Sequence, residues 1–218
     1  MNIDIGGNNC FAIDGTHSSG KTSTVDAVVT VLRWIGVDAI KVKDAARDCP
    51  LPLNKDSTFE AQSWIITNQI EKELQARDYC VGYWGEKCCV VDRSIYGNIP
   101  YIKWLQKNVF RFTGYDYYQF LKKRILQYAK ENPYDTIFYL NSLPLKKDVT
   151  RSEDEEYQKY VAEEINQILH ENLTFAQYAH VGEKTLLDRT GRIVQHIISR
   201  LDYNNSKKIA VFFDVDGT

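Results

Sequence analysis

Apolar residues fall into two alternating patterns along the chain. Short, nearly unbroken runs occur at Cys10-Phe11-Ala12-Ile13, Ala39-Ile40-Lys41-Val42-Lys43, Cys88-Cys89-Val90-Val91 and Thr136-Ile137-Phe138-Tyr139-Leu140, and each predicts a buried strand. Between them, apolar residues recur at helical spacing. Val25, Val28, Val29, Leu32 and Ile35 form one such face, and Phe59, Trp64, Ile66, Ile70 and Leu74 a second. Tyr157, Val161, Ile165, Ile168 and Leu169 form another, and Leu187, Ile193, Val194 and Ile197 define a terminal helix over 186–201. Gly36 is expected to end the first helix, and Ser57-Thr58-Phe59-Glu60 and Ser152-Glu153-Asp154-Glu155 resemble capping boxes. A fifth strand is expected near Tyr178-Ala179-His180-Val181. Strands alternating with helices imply an α/β fold with a mostly parallel sheet covered on both sides.

The segment from Ile95 to Tyr128 is both aromatic and basic. Tyr101, Trp104, Phe110, Phe112, Tyr115, Tyr117, Tyr118 and Phe120 interleave with Lys103, Lys107, Arg111, Lys122, Lys123 and Arg124. Two amphipathic helices with inward aromatics and solvated lysines are favoured over a stacking platform for single-stranded nucleic acid. The charge balance supports that choice, since 27 Lys and Arg against 29 Asp and Glu leave a net charge of −2. With 218 residues, 44% of them hydrophobic, the chain can bury a sizeable core. No apolar stretch reaches membrane-spanning length and the first residues begin no signal peptide, so a soluble, cytoplasmic protein with no membrane partner is expected. Cys10, Cys49, Cys80, Cys88 and Cys89 are odd in number and contain no C-x-x-C pair, which favours reduced, mostly buried thiols. The histidines show no metal-ligand spacing.

Gly15-Thr16-His17-Ser18-Ser19-Gly20-Lys21-Thr22 is a complete G-x-x-x-x-G-K-[ST] motif, placed between the first strand and the first helix. Its glycines let the backbone turn tightly and direct N–H groups at one anionic point, where the helix dipole adds its positive end. Residues Gly15 to Thr22, with Ser23 following, are therefore the expected phosphate-binding residues for ATP. Lys21 would reach the β- and γ-phosphates, and the Thr22 hydroxyl would hold Mg²⁺. His17 occupies a variable position of the loop and is given no catalytic role.

Further charged residues fall at predicted strand ends. Asp44 follows the second strand, on the rim where open α/β sheets bind ligands, with Arg47 close behind. It is a candidate general base for an acceptor hydroxyl, with an ordinary strand-to-helix cap as the alternative. Lys87–Ser94 ends in Asp92-Arg93-Ser94. There Asp92 can hold Mg²⁺ directly or through water, and Arg93 can clamp a phosphate or the acceptor oxygen. Arg151 precedes a capping box on a loop able to close over phosphates, the position of a lid arginine. Gln62, Trp64 and Gln69 share one helix and could meet a base edge, although Trp64 is expected to be core.

With these residues assembled, the chain resembles the phosphate-loop nucleoside and nucleotide kinases from about Phe11 to Leu201. That group includes thymidylate kinase, deoxynucleoside kinases and the nicotinamide riboside kinase-like AAA ATPase domain. The resemblance implies a three-layer sandwich whose parallel five-stranded sheet has the order 2-3-1-4-5, with helices on both faces. It implies a kinase domain over 1–202 that moves the γ-phosphate of ATP to a nucleoside or nucleoside monophosphate. Lys21, Asp44, Arg93 and Arg151 would be catalytic, and Thr22 and Asp92 would hold the metal. Many relatives carry Glu, often followed by Pro, where this chain has Asp44-Ala45. A small-molecule acceptor is expected, nucleic acid is not favoured as a partner, and a homodimer is allowed.

The last residues form a separate feature. After the linker-like Tyr203–Lys208, a new apolar run leads to Asp214-Val215-Asp216-Gly217-Thr218. It resembles the first motif of the haloacid-dehalogenase phosphohydrolases, and 203–218 is expected to be a linker plus the opening of a truncated second domain. A kinase joined to such a domain also resembles a polynucleotide 5′-kinase with a phosphatase. A non-catalytic nucleotide or phospholipid switch is the remaining alternative.

Overall fold

The structure, a computed structural model, describes residues 9–53, 56–81, 87–109, 115–142 and 155–201. Arg151, the capping box before Glu155 and the Asp214–Thr218 motif lie outside the described residues.

The strands are β1 (Cys10–Asp14), β2 (Asp38–Val42), β3 (Lys87–Asp92), β4 (Thr136–Leu140) and β5 (Tyr178–Val181). They form one sheet in the order β2-β3-β1-β4-β5, and every pair is parallel. The central strand β1 sets the register, since Ala12 lies opposite both Val91 and Ile137. The helices are α1 (Lys21–Trp34), α2 (Phe59–Cys80), α3 (Ile99–Asn108), α4 (Tyr115–Glu131), α5 (Glu155–Asn172) and α6 (Leu186–Arg200).

Strand periodicity divides the core into two layers. Phe11, Ile13, Cys88, Val90, Phe138 and Leu140 point to one side, where Val25, Val28 and Leu32 of α1 and Ile193, Val194 and Ile197 of α6 cover them. Cys10, Ala12, Cys89, Val91, Ile137 and Tyr139 point to the other, under α2, α3, α4 and α5. The three-layer α/β sandwich and its strand order agree with the expectation. Among the described residues no helix is long and apolar enough to cross a membrane, and the five cysteines are free, four of them buried and Cys49 half-buried.

Gly36 ends α1 as expected. At φ 91° it sits in the left-handed region, its N–H donates to Arg33 O at 3.1 Å, and Val37 N–H donates to Leu32 O at 2.9 Å. This pair of bonds is a Schellman motif, closed by the buried Leu32 and Val37.

Several local expectations need correction. β2 begins and ends one residue earlier than expected. The N-cap of α2 is Thr58, whose hydroxyl accepts from Ala61 N–H at 3.2 Å, while Ser57 Oγ accepts from Gln62 Nε2 at 2.9 Å. Leu74 and Leu187 are exposed, because each helix rotates its covered face toward polar residues instead: Gln69, Glu73 and Arg77 in α2, and Arg189 and Thr190 in α6. The aromatic-basic segment does form two helices, but only part of its aromatics turn inward. Tyr118 is buried, whereas Tyr115, Tyr117 and Phe120 stay exposed on α4. Trp64 is half-buried rather than core.

Candidate functional site

The C-terminal ends of β1, β2 and β3 open onto a cleft of about 290 Å³. One wall is the glycine-rich loop, from which His17, Ser18, Ser19, Gly20, Lys21 and Thr22 line the cavity; Asp44, Arg47, Arg93 and Tyr101 stand among the other residues. Gly15 and Thr16 lie behind this wall, and Ser23 is exposed outside it.

The loop conformation follows from its glycines. Gly15 has φ 145°, and a Cβ there would come within 2.7 Å of the Leu140 carbonyl oxygen. Gly20, at φ 83°, delivers the chain into α1. The first-turn N–H groups of α1 therefore face the cleft end of the helix, where a helix leaves its donors without internal partners. The loop is braced from several elements. Arg189 Nη1 of α6 donates to Ser19 O at 2.8 Å, Gln158 Nε2 of α5 donates to His17 O at 3.0 Å, and Thr16 Oγ1 lies 3.2 Å from Ser142 Oγ. The His17 ring stacks on Tyr157.

Lys21 folds back over the loop, with Nζ donating to Gly15 O at 2.9 Å and Thr16 O at 2.5 Å. Burial, together with the positive charge of Arg93, lowers its pKa to about 8, against the pull of Asp92, Asp14 and Asp44. Thr22 Oγ1 donates to Asp92 Oδ2 at 2.7 Å and accepts from Arg47 Nη2 at 2.9 Å. Asp92 is 2% exposed, and its Oδ1 is buried with no hydrogen-bond partner. An orphaned carboxylate oxygen beside a threonine hydroxyl is the donor set that Mg²⁺ takes.

Across the cleft, Asp44 Oδ2 pairs with Arg93 Nη2 at 3.1 Å. Asp44 also caps the short 3-10 turn Ala45–Asp48, accepting from Ala46 N–H at 3.0 Å. One Asp44 oxygen therefore caps the turn and the other faces the guanidinium. Arg93 lies over the Tyr101 ring, 4.8 Å from its centroid. Its backbone has φ 83°, a left-handed conformation that costs a non-glycine residue about 1–3 kcal/mol and persists only where its surroundings enforce it.

Asp14 is the residue that sequence reasoning passed over. Fully buried at the end of β1, it accepts from Gly15 N–H at 2.7 Å through Oδ1, and from Ser94 N–H at 3.2 Å and the Ser94 hydroxyl through Oδ2. One carboxylate thus ties the start of the glycine-rich loop to the Asp92-Arg93-Ser94 turn. Burial raises its pKa, and the Ser94 hydroxyl, Lys21 and Gly15 N–H oppose that shift. The available signal was an acid closing an apolar strand directly before a glycine loop. Ala46, Leu53, Gln62, Ile65 and Asn98 complete the lining of the cavity. Trp64 does not line it.

Gly97 marks how tightly this corner is built. A Cβ there would lie 2.8 Å from Arg93 Cγ and 2.9 Å from both Asp14 carboxylate oxygens. Gly97→Ala is therefore expected to destabilise the fold by about 1–3 kcal/mol, the usual range for overpacking. A urea-unfolding midpoint unchanged from the parent would contradict this.

Among the described residues, no group of three or more His, Cys, Asp or Glu side chains could by itself hold a metal ion. Any divalent ion here would depend on Thr22 and Asp92 together with a bound anion. No family model matches the chain, and no curated protein matches it.

Proposed function

We propose that this chain is an ATP-dependent phosphotransferase whose acceptor is the hydroxyl of a small molecule of the nucleoside class that carries no phosphate. The observation that carries the reading is the Asp44–Arg93 pair standing in the same cavity as Lys21 and Thr22. A phosphate-binding loop alone supports nucleotide binding; a carboxylate opposite it supports activation of an attacking hydroxyl.

In this reading the loop N–H groups and Lys21 hold the ATP phosphates. Thr22 and Asp92 fit Mg²⁺, which supplies charge neutralisation on the phosphate oxygens. Asp44 accepts the hydroxyl proton as the acceptor oxygen bonds to the γ-phosphorus and the bond to ADP breaks. Arg93 offsets charge on the transferred group and holds the Asp44 carboxylate in place. Arg151 is proposed as a lid arginine from its sequence position. Positioning and electrostatics supply most of such a reaction.

Charge at the acceptor end favours a nucleoside over a nucleoside monophosphate. Arg93 is already paired with Asp44, Arg47 is engaged at Thr22, and Leu53, Gln62, Ile65, Asn98 and Tyr101 bring no formal charge. A phosphate dianion beside Asp44 would meet a guanidinium, Arg93, whose charge that carboxylate already offsets. The test is transfer from γ-labelled ATP across nucleosides, their monophosphates, nicotinamide riboside and 5′-hydroxyl oligonucleotides. Labelling of nucleosides or the riboside is expected; labelling confined to monophosphates would overturn the acceptor assignment.

The exposed Tyr115, Tyr117 and Phe120 beside the lysines of α4 favour one second reading, a polynucleotide 5′-kinase. Oligonucleotide binding that weakens steeply with salt would support it.

Lys21 gives a pH signature. Bound phosphates raise the pKa of this ammonium above about 8, so binding takes up a proton above that pH. ATP affinity is expected to be flat below pH 8 and to fall by up to about tenfold per pH unit above it. Calorimetric titrations from pH 6.5 to 9.5 check this, and Lys21→Arg should abolish the dependence.

A further inference from the structure

The inner face of α2 carries a polar assembly that the cleft does not use. Glu73 is 0% exposed, within the core between α2, α4 and β4. A carboxylate there is retained only where donors surround it. Tyr134 Oη donates to it, lying 2.7 and 2.9 Å from its two oxygens, Tyr128 Oη donates at 3.1 Å, and Gln69 Nε2 donates at 2.8 Å.

Burial raises the Glu73 pKa, and Arg77, Tyr134, Gln69 and Tyr128 oppose that shift. Gln69 Nε2 donates to Glu73 Oε1 and, at 2.8 Å, to the carbonyl oxygen of Arg93, so these two acceptors together set which way its amide turns. Its own Oε1 accepts from Asn98 Nδ2 at 2.8 Å, and Asn98 Nδ2 also donates to Ile95 O at 3.2 Å. Tyr134 extends the same hold, accepting from Ile95 N–H at 2.9 Å. The turn from Arg93 to Asn98 is thus gripped from below at each end. On its other side Arg93 N–H donates to Ile13 O at 3.0 Å, and the guanidinium meets Asp44.

We propose that Glu73 is a positioning residue for Arg93: through Gln69 it holds the Arg93 carbonyl, keeping the residue in its left-handed conformation and its guanidinium at Asp44 in the cleft. Glu73 and Gln69 do not line the cavity, so they act only through the turn. The consequence for turnover rests on the phosphotransferase reading; the effect on Arg93 conformation does not.

The test compares the parent with Glu73→Gln and Gln69→Leu by NMR of the Arg93 backbone amide and its Nε–H, alongside steady-state kinetics. Both variants should shift or broaden the Arg93 signals. Both should lower kcat for phosphate transfer by about 10²-fold, the scale of an ångström-level misplacement, with KM for ATP and acceptor little changed. The exchange Gln69→Glu with Glu73→Gln separates positioning from mere stability. It restores the buried acid–amide pair but presents an acceptor to the Arg93 carbonyl, so its melting temperature should recover while kcat stays low. Arg93 signals coincident with the parent in whichever single variant folds, or full recovery of kcat in the exchange, would overturn the proposal. If the parent transfers no phosphate to any acceptor, the functional reading fails while the Arg93 spectrum still decides this one.

Discussion

Lys21→Ala should lower phosphate transfer by about 10³-fold or more, in the range of removing a charge-stabilising group from a phosphoryl-transfer site. Lys21 is the cation at the base of the glycine-rich loop, 7% exposed and held at two loop carbonyls. The same variant should not lose stability in proportion. Burial lowers the Lys21 pKa, so the folded state resists its charge. That penalty is fully present below about pH 8 and is relieved as pH rises from there to the ordinary lysine value near 10.5. Parent stability should therefore gain over the variant's across that window, measured by urea unfolding at pH 7 and pH 10. A variant that unfolds at pH 7 would assign Lys21 to holding the loop together; one that transfers phosphate at the parent rate would remove it from the chemistry.

Asp44→Asn should separate the acceptor step from nucleotide binding. The amide keeps the shape and can still cap Ala46 N–H, but it cannot take a proton and no longer neutralises Arg93. Loss of a positioned general base costs about 10²–10⁴-fold in rate. ATP affinity should hold or tighten slightly, because Arg93 is freed toward phosphate. Unpairing a buried ion also costs up to about 3–5 kcal/mol of stability, so kcat must be measured well below the melting temperature of the variant. Unchanged kcat would reduce Asp44 to a cap of the 3-10 turn.

Much of this architecture was legible in the residues because its signals are local. Each buried strand is a short apolar run, and the glycine-rich motif is contiguous, so β1, its loop and α1 follow from neighbours in sequence. Asp44, Asp92 and Arg93 were found at strand ends because a parallel sheet brings those ends to one rim. What escaped depends on distant partners. Asp14 joins residues 80 positions apart at Ser94, and Glu73 meets Tyr134 across 61; no periodicity marks such a carboxylate as buried. On α2, the polar stripe Gln62, Gln69, Glu73 and Arg77 faces inward while Leu74 faces out, which inverts the usual amphipathic rule because tyrosine hydroxyls, amides and backbone carbonyls satisfy those groups in the core. Tyr117 was expected to pack inward, yet it stacks on Phe59 while its own ring remains exposed.

The central claim is that the cleft couples a phosphate-gripping loop to a hydroxyl-activating carboxylate. Its most direct measurement is the yield of labelled acceptor per ADP, with γ-labelled ATP, Mg²⁺ and a nucleoside or nicotinamide riboside. The proposed chemistry predicts ADP formation that depends on acceptor, with one labelled hydroxyl for each ADP, and loss of both in Asp44→Asn. ADP released at the same rate without acceptor, or tight ATP binding with no labelled product across the whole panel, would contradict it.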